Sequence, residues 1–273
     1  MLFSNLIMAP PVLDLYLAAV TAATYFICGW LMLRAAGRAE RWLPPVALVL
    51  HLWLLVTHLF HGDAVVIGVR EALSLFAWQS ALLLWLFCLR QPLRVLGLAI
   101  YPLAGIAGAL AATFPSPIQP IPISDWKVQL HIVLSLLSAG LLTLAAVQAF
   151  ALALQDRMLH GRPQLTLAQA LPPLQTMERL LFQLIALGFF LLSMTLISGL
   201  LFVHNLLSQH LAHKTVLSAI AWLLFAVLLW GRRQYGWRGR VATRWALSGY
   251  AFLVLAYFGS KWVLEQLLHK QWS

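Results

Sequence analysis

Eight apolar stretches, each about the length a helix needs to cross a bilayer, follow one another through 273 residues with short linkers between them. A transmembrane helix takes roughly 20 apolar residues, so a chain of this length is filled by its spans, with no room left for a separate soluble domain. In hydrocarbon every backbone N–H and C=O must find its partner inside the protein, and continuous helices achieve this segment by segment. The pattern therefore predicts an all-α polytopic membrane helix bundle of about eight transmembrane helices, a single integral membrane domain over residues 1–273. Composition agrees with it. With 62% hydrophobic and 10% charged residues, 12 Trp and 14 Phe, the chain carries more apolar surface than a water-soluble core can hide.

The spans read as residues 12–33, 45–60, 67–88, 93–113, 124–154, 180–207, 214–230 and 245–268. Four prolines between Pro115 and Pro122 close the fourth, because proline cannot continue a helix. The longest linker, 155–178, contains Pro172 and Pro173. No Lys or Arg and no small-residue cleavage pattern precedes the first span, which reads as a retained helix rather than a signal peptide.

Lys and Arg divide unequally between the two sides. Linkers after spans one, three, five and seven, with their flanks, hold 13, and the other side holds 5. Short loops rich in Lys and Arg remain cytoplasmic, so both termini are expected outside. The net charge of +10 thus sits at helix ends, where it orients the chain and meets anionic lipid head groups. Nucleic acid is not expected as a partner; the lipid bilayer is. Cys28 and Cys88 lie in different spans without a CxxC pattern, which argues against a disulfide framework or a thiol relay.

Ionisable groups inside a membrane are costly and mark function. Carboxylates are nearly absent from span interiors: Asp14 and Glu265 lie near span ends, and Glu71 is the least peripheral. A proton- or sodium-coupled carrier needs a buried carboxylate, so coupled transport is disfavoured. The histidines differ. His58, His61, His131, His204, His210, His213 and His269 all map to the outer side, while His51 lies deeper in span two and His160 in a cytoplasmic linker. Most of these read as interfacial anchors, with His210 and His213 in a loop. His131 and His204 stand apart, each set in an apolar helix one to two turns below the surface. Their neutral imidazoles, offered by two neighbouring helices, suit the axial positions of a haem iron. Trp126, Trp245 and Trp262 fit an aromatic belt. Tyr235–Gly236–Trp237–Arg238–Gly239 reads as a tight turn, with Trp at the head groups and Arg on phosphate.

Four stretches, WKVQLHIVLSLLSAG (126–140), MERLLFQLIALGFFLLSMTLISGLLFVHN (177–205), LSAIAWLLFAVLLWGRRQYGWRG (217–239) and LAYFGSKW (255–262), give the chain a family resemblance. It resembles the cytochrome c assembly family of haem-handling integral membrane proteins, most closely the YpjD-like inner membrane branch, over a region of about residues 60–270. The resemblance implies a multi-pass protein of the bacterial cytoplasmic (inner) membrane that holds or passes haem near its outer face. Other membrane proteins would be its partners, and covalent attachment of haem would take place elsewhere. By position, His131 matches the family's histidine ahead of a tryptophan-rich loop, and His51 matches a histidine of an early span. The WGxxWxWD loop itself is missing: residues 205–214 contain neither Trp nor Asp. The histidine expected beyond it falls near Tyr257 or Phe258. His204, with His210 or His213, then becomes the substitute second ligand.

The expected cofactor is therefore haem, its iron ligated by His131 and His204, with His51 as a further cofactor-binding residue. No Ser/His/Asp set, paired carboxylates or metal–thiolate cluster points to an enzyme in the usual sense. The alternative reading is a non-catalytic membrane scaffold or accessory subunit that has lost the haem relay. A small-molecule permease would need a polar stripe at helical spacing, and the sequence offers only scattered Ser, Thr and Gln.

Overall fold

The computed structural model of the protein describes residues 12–32, 38–61, 64–65, 69–114, 126–160, 172–202 and 209–259. Its helices are α1 (Val12–Leu31), α2 (Arg38–Leu59), α3 (Val69–Cys88), α4 (Gly97–Thr113, entered through a 3₁₀ turn at Arg94–Leu96), α5 (Trp126–His160), α6 (Leu174–Phe202), α7 (Gln209–Tyr235) and α8 (Gly239–Val254). A π-helical turn, Leu255–Gly259, continues α8. Two-residue strands, Phe60–His61 and Ala64–Val65, pair antiparallel after α2, with Phe60 opposite Val65.

Six segments (12–31, 70–88, 94–113, 126–158, 174–201 and 214–235) are long and apolar enough to cross a membrane. Outward-facing positions on these segments and on α2 are apolar as well: Leu13 is 75% exposed, Leu200 68% and Trp53, on α2, 64%. Hydrocarbon solvates such faces without penalty and water does not. The molecule is a multi-pass helical membrane protein.

The helices overrun the spans read from hydropathy. α2 starts at Arg38 rather than 45 and runs through Pro44 and Pro45. A proline inside a helix leaves the carbonyl one turn earlier without its usual donor. For Pro45 that carbonyl is Arg41's, and the indole Nε1–H of Trp85 on α3 donates to it at 3.1 Å. A neighbouring helix thus supplies the bond the imino acid cannot. α5 continues to His160 and α6 begins at Leu174, so much of the expected 155–178 linker is helical. Beyond hydrocarbon a helix still gains from good formers such as Gln, Arg and Met, and hydropathy alone does not register those turns.

Two compact units divide the chain near residue 124. In the first, α1 packs on α4 and α2, and α3 packs on α4 and α2. α1 and α4 approach closely because small residues face each other. A Cβ on Gly105 would stand 3.2 Å from the Cα of Ala22, and one on Gly29 would stand 3.1 Å from the Pro102 ring. Membrane helices associate through such contacts, where lipid provides no hydrophobic drive between them.

In the second unit α5 is the axis against which both α6 and α8 pack, and α7 lies against α6 and α8. Polar rungs fix the registers. Ser138 donates to the Gly188 carbonyl at 3.1 Å, and Gln148 Nε2 donates to the Met177 carbonyl at 3.0 Å, tying α5 to α6. The Thr143 and Tyr250 hydroxyls lie 2.9 Å apart, joining α5 to α8. Trp222 on α7 donates to Ser193 Oγ on α6 at 2.8 Å while its ring stacks on Phe189, centroids 5.4 Å apart.

The Gly-Trp-Arg-Gly segment is a built corner between α7 and α8. Gly236 and Gly239 have φ of 65° and 51°, the left-handed region where glycine carries no Cβ penalty. Trp237 folds back so closely that its ring covers Gly231, where a Cβ would lie 2.4 Å from Cε3. The ring stacks on Trp245 (5.4 Å) and on Tyr235 (6.3 Å). Arg232 donates to the Trp237 carbonyl at 3.2 Å and lies over the Phe182 ring at 4.6 Å. The buried carboxylate of Glu178, on α6, accepts the Gly239 amide at 2.7 Å, placing negative charge at the positive end of α8.

Candidate functional site

His131 sits in the second turn of α5, half-buried against α6. Val128, Leu130, Ile132, Val133 and Leu134 make most of the surface of this turn apolar, and the faces not covered by neighbours suit lipid. The imidazole Nδ1 lies 2.9 Å from Ser198 Oγ on α6. That hydroxyl also donates to the Thr195 carbonyl at 2.9 Å. A serine has a single hydroxyl proton. When it is given to Thr195, the oxygen can only accept from His131, an arrangement that puts the proton of a neutral imidazole on Nδ1 and leaves the lone pair on Nε2. Turning the hydroxyl toward Nδ1 instead would give up one hydrogen bond, worth about 0.5–1.5 kcal/mol net. The arrangement with both bonds wins by several-fold in population.

Close approach of the ring to α6 depends on a glycine. A Cβ on Gly199 would meet His131 Cε1 at 3.3 Å, tighter than a relaxed contact. Ser198 and Gly199 together form a shelf, one residue fixing the ring's rotation and the next leaving room for it. One turn along α5 from His131, the Ser135 carbonyl faces the phenol of Tyr257 at 3.5 Å. Tyr257 lies within the π-helical turn, a distortion found often at functional sites.

His51, in the first unit, is fully buried. Its Nδ1 is 3.3 Å from the Tyr25 hydroxyl and its Nε2 is 2.8 Å from Ser74 Oγ. Gly108 abuts the ring, with a Cβ there reaching 2.9 Å from Nε2, and Tyr25 stacks on Tyr101. Both ring nitrogens are thus engaged within the protein, and iron would have to displace one of those bonds.

His204 lies outside the described residues, as do His269 and Trp262. His210 and His213, read from sequence as loop residues, fall within the start of α7. His61 belongs to the first strand, and His160 ends α5. His58 is in the last turn of α2, and its buried Nε2 meets no hydrogen-bond partner among the described residues. Trp126 opens α5 and is 63% exposed, while Trp245 stacks into the α7–α8 corner. Among the described residues no three His, Cys, Asp or Glu side chains gather as a bare metal ion would require. A haem iron, held in plane by its porphyrin, asks the protein only for axial donors, and the lone pair on Nε2 of His131 fits that need.

Ser198 was not among the residues singled out from sequence. In sequence it is one more hydroxyl in an apolar helix. What marks it is the neighbouring glycine, a small pair of the kind that lets helices approach.

The family model described as cytochrome C assembly protein matches residues 41–268. The inner membrane protein YpjD of Escherichia coli K12 is 39% identical over 169 residues, covering 62% of this chain and 64% of that protein. The chain thus matches less than two thirds of the length of that relative. A 28.8 kDa protein of Azospirillum brasilense is 29% identical over 241 residues, 88% of this chain and 81% of the other. The cytochrome c biogenesis protein CcsA of Chlamydomonas reinhardtii is 24% identical over 232 residues, 81% and 64% of the two chains. No solved structure matches significantly.

Proposed function

Because the chain belongs to the cytochrome c assembly protein family, we propose that it holds haem near the outer face of a bacterial inner membrane and passes it to a partner of cytochrome c biogenesis. Relatives named for cytochrome c biogenesis and for the inner membrane support the reading. The observation that carries it is His131: a half-buried imidazole, braced at Nδ1 by Ser198, with the electron pair of Nε2 left for a metal.

Bound haem would supply iron with axial positions to fill. The chain's part is to present Nε2 of His131 at a fixed angle and to keep its proton on Nδ1. The apolar walls of α5 and α6 lower competition from water. His204, about three residues inside the outer end of the sixth span by sequence, is the proposed second axial nitrogen. His51 keeps its place as a further candidate, at the cost of its bond to Ser74 or Tyr25. Transfer is then a ligand exchange, in which a partner's donor replaces one imidazole as the iron leaves.

The test is an absorbance spectrum of protein purified from haem-replete cells. A Soret band with a pyridine haemochrome is expected, in amounts approaching one haem per chain; absence of both overturns the reading. Orientation is checked separately. The split of 13 Lys and Arg against 5 supports a cytoplasmic 232–244 corner. A reporter fused after Ser273 is expected to be active when it needs the outer compartment, and activity restricted to the cytoplasm would reverse the topology.

A further inference from the structure

We propose that Ser198 is a positioning residue for His131: it selects the Nδ1–H tautomer of the imidazole and thereby makes Nε2 the atom offered to iron. The inference deepens the haem-holding reading and rests on it for its consequence, though not for its geometry. Ser198 Oγ stands 2.9 Å from Nδ1 and 2.9 Å from the Thr195 carbonyl. The Thr195 carbonyl belongs to α6 one turn earlier, accepts only, and interacts with the His131 ring as well, so the arrangement that satisfies every group runs Nδ1–H to Oγ and Oγ–H to carbonyl oxygen.

Metal-bound histidines are oriented in this way by an acceptor on the other ring nitrogen, which fixes tautomer and ring angle and raises the basicity of the ligating atom. Here the acceptor is a neutral hydroxyl within an apolar helix. It orients without adding the charge of a carboxylate, and so leaves a weaker donor than a carboxylate-braced imidazole would be. A carrier that must release its cargo is served by such a ligand. Gly199 completes the device, since a Cβ there would stand 3.3 Å from Cε1 and crowd the ring against its acceptor.

The experiment compares full-length wild type, Ser198→Ala and Ser198→Thr, with ring-¹⁵N-labelled histidine, purified in detergent. Haem-free samples are read by ¹⁵N NMR, with the His131 signals identified by their loss in His131→Gln. Wild type and Ser198→Thr are expected to show Nδ1 protonated, and Ser198→Ala a mixture of tautomers. Titration with haem is expected to give roughly tenfold weaker binding for Ser198→Ala, with recovery in Ser198→Thr. Ser198→Cys, close in shape and a poor hydrogen-bonding group, replaces the alanine variant if that one does not insert. An Nε2-protonated His131 in wild type overturns the proposal, as does a tautomer and haem affinity unchanged by Ser198→Ala. A tautomer shift in samples of which none binds haem upholds the positioning role and sinks the haem reading instead.

Discussion

His131→Ala is expected to lower the haem content of the purified protein at least tenfold and to shift the Soret maximum of what remains, while the protein still inserts and purifies. Loss of an axial donor removes an iron–nitrogen bond outright, whereas even outer-shell changes at metal sites cost 10–100-fold. The fold should survive because nothing buried is orphaned. Ser198 keeps its bond to the Thr195 carbonyl, and a half-exposed ring at a helix end contributes little to the core. Added imidazole should fill the vacated position and return the wild-type spectrum. Haem content equal to wild type in His131→Ala would remove this residue from the site, and with it the main support for the haem-holding reading.

Gly231→Val is expected to lower the thermal midpoint of the detergent-solubilised protein by roughly 6–12 °C, if overpacking costs near the upper end of its usual 1–3 kcal/mol in a chain of this size. The added Cβ would lie 2.4 Å from Cε3 and 2.5 Å from Cδ2 of Trp237. That ring has nowhere simple to go, since Trp245 and Tyr235 stack on it and its backbone is tied to Arg232 and Gly231. Intrinsic tryptophan fluorescence during heating reads the corner directly. The control is the same substitution on a Trp237→Ala background, where its cost should largely vanish, as expected of residues in direct contact. A full-sized loss on that background would mean that Gly231 matters for some other reason than the ring.

Hydropathy made the helices legible, and it did so because a bilayer imposes one dominant constraint on every span. It misjudged their ends for a related reason. Outside hydrocarbon the criterion lapses, so the polar turns at Gln155–Met158, Gln175–Glu178 and Gln209–His213 carried no signal. Pro44 and Pro45 looked like a boundary since the donor that compensates Pro45, Trp85, is 40 residues away along the chain. His131 stood out as an imidazole in an apolar helix. Ser198, which gives that imidazole its direction, did not, because its role exists only once α5 and α6 are side by side. Glu178 was hidden in the same way: a linker carboxylate by sequence, it proves to be the cap of a helix 61 residues further on. The glycines of the α7–α8 corner were readable as a turn, but the seat that Gly231 makes for Trp237 needed the fold.

The unequal helix lengths carry a consequence for the lipid. At 1.5 Å per residue, the 35 residues of α5 measure about 52 Å and the 29 of α6 about 43 Å, whereas α1 with 20 and α4 with 17 measure about 30 and 25 Å. A hydrocarbon slab is about 30 Å thick. One bilayer therefore meets two demands within a single chain. The first unit matches an ordinary or thin membrane, while α5 and α6 of the second exceed it and are reconciled with it by leaning or by carrying their polar ends into the head groups, at a modest cost per ångström. Bilayer thickness thus becomes a variable to which α5, and the imidazole it carries near one end, respond first.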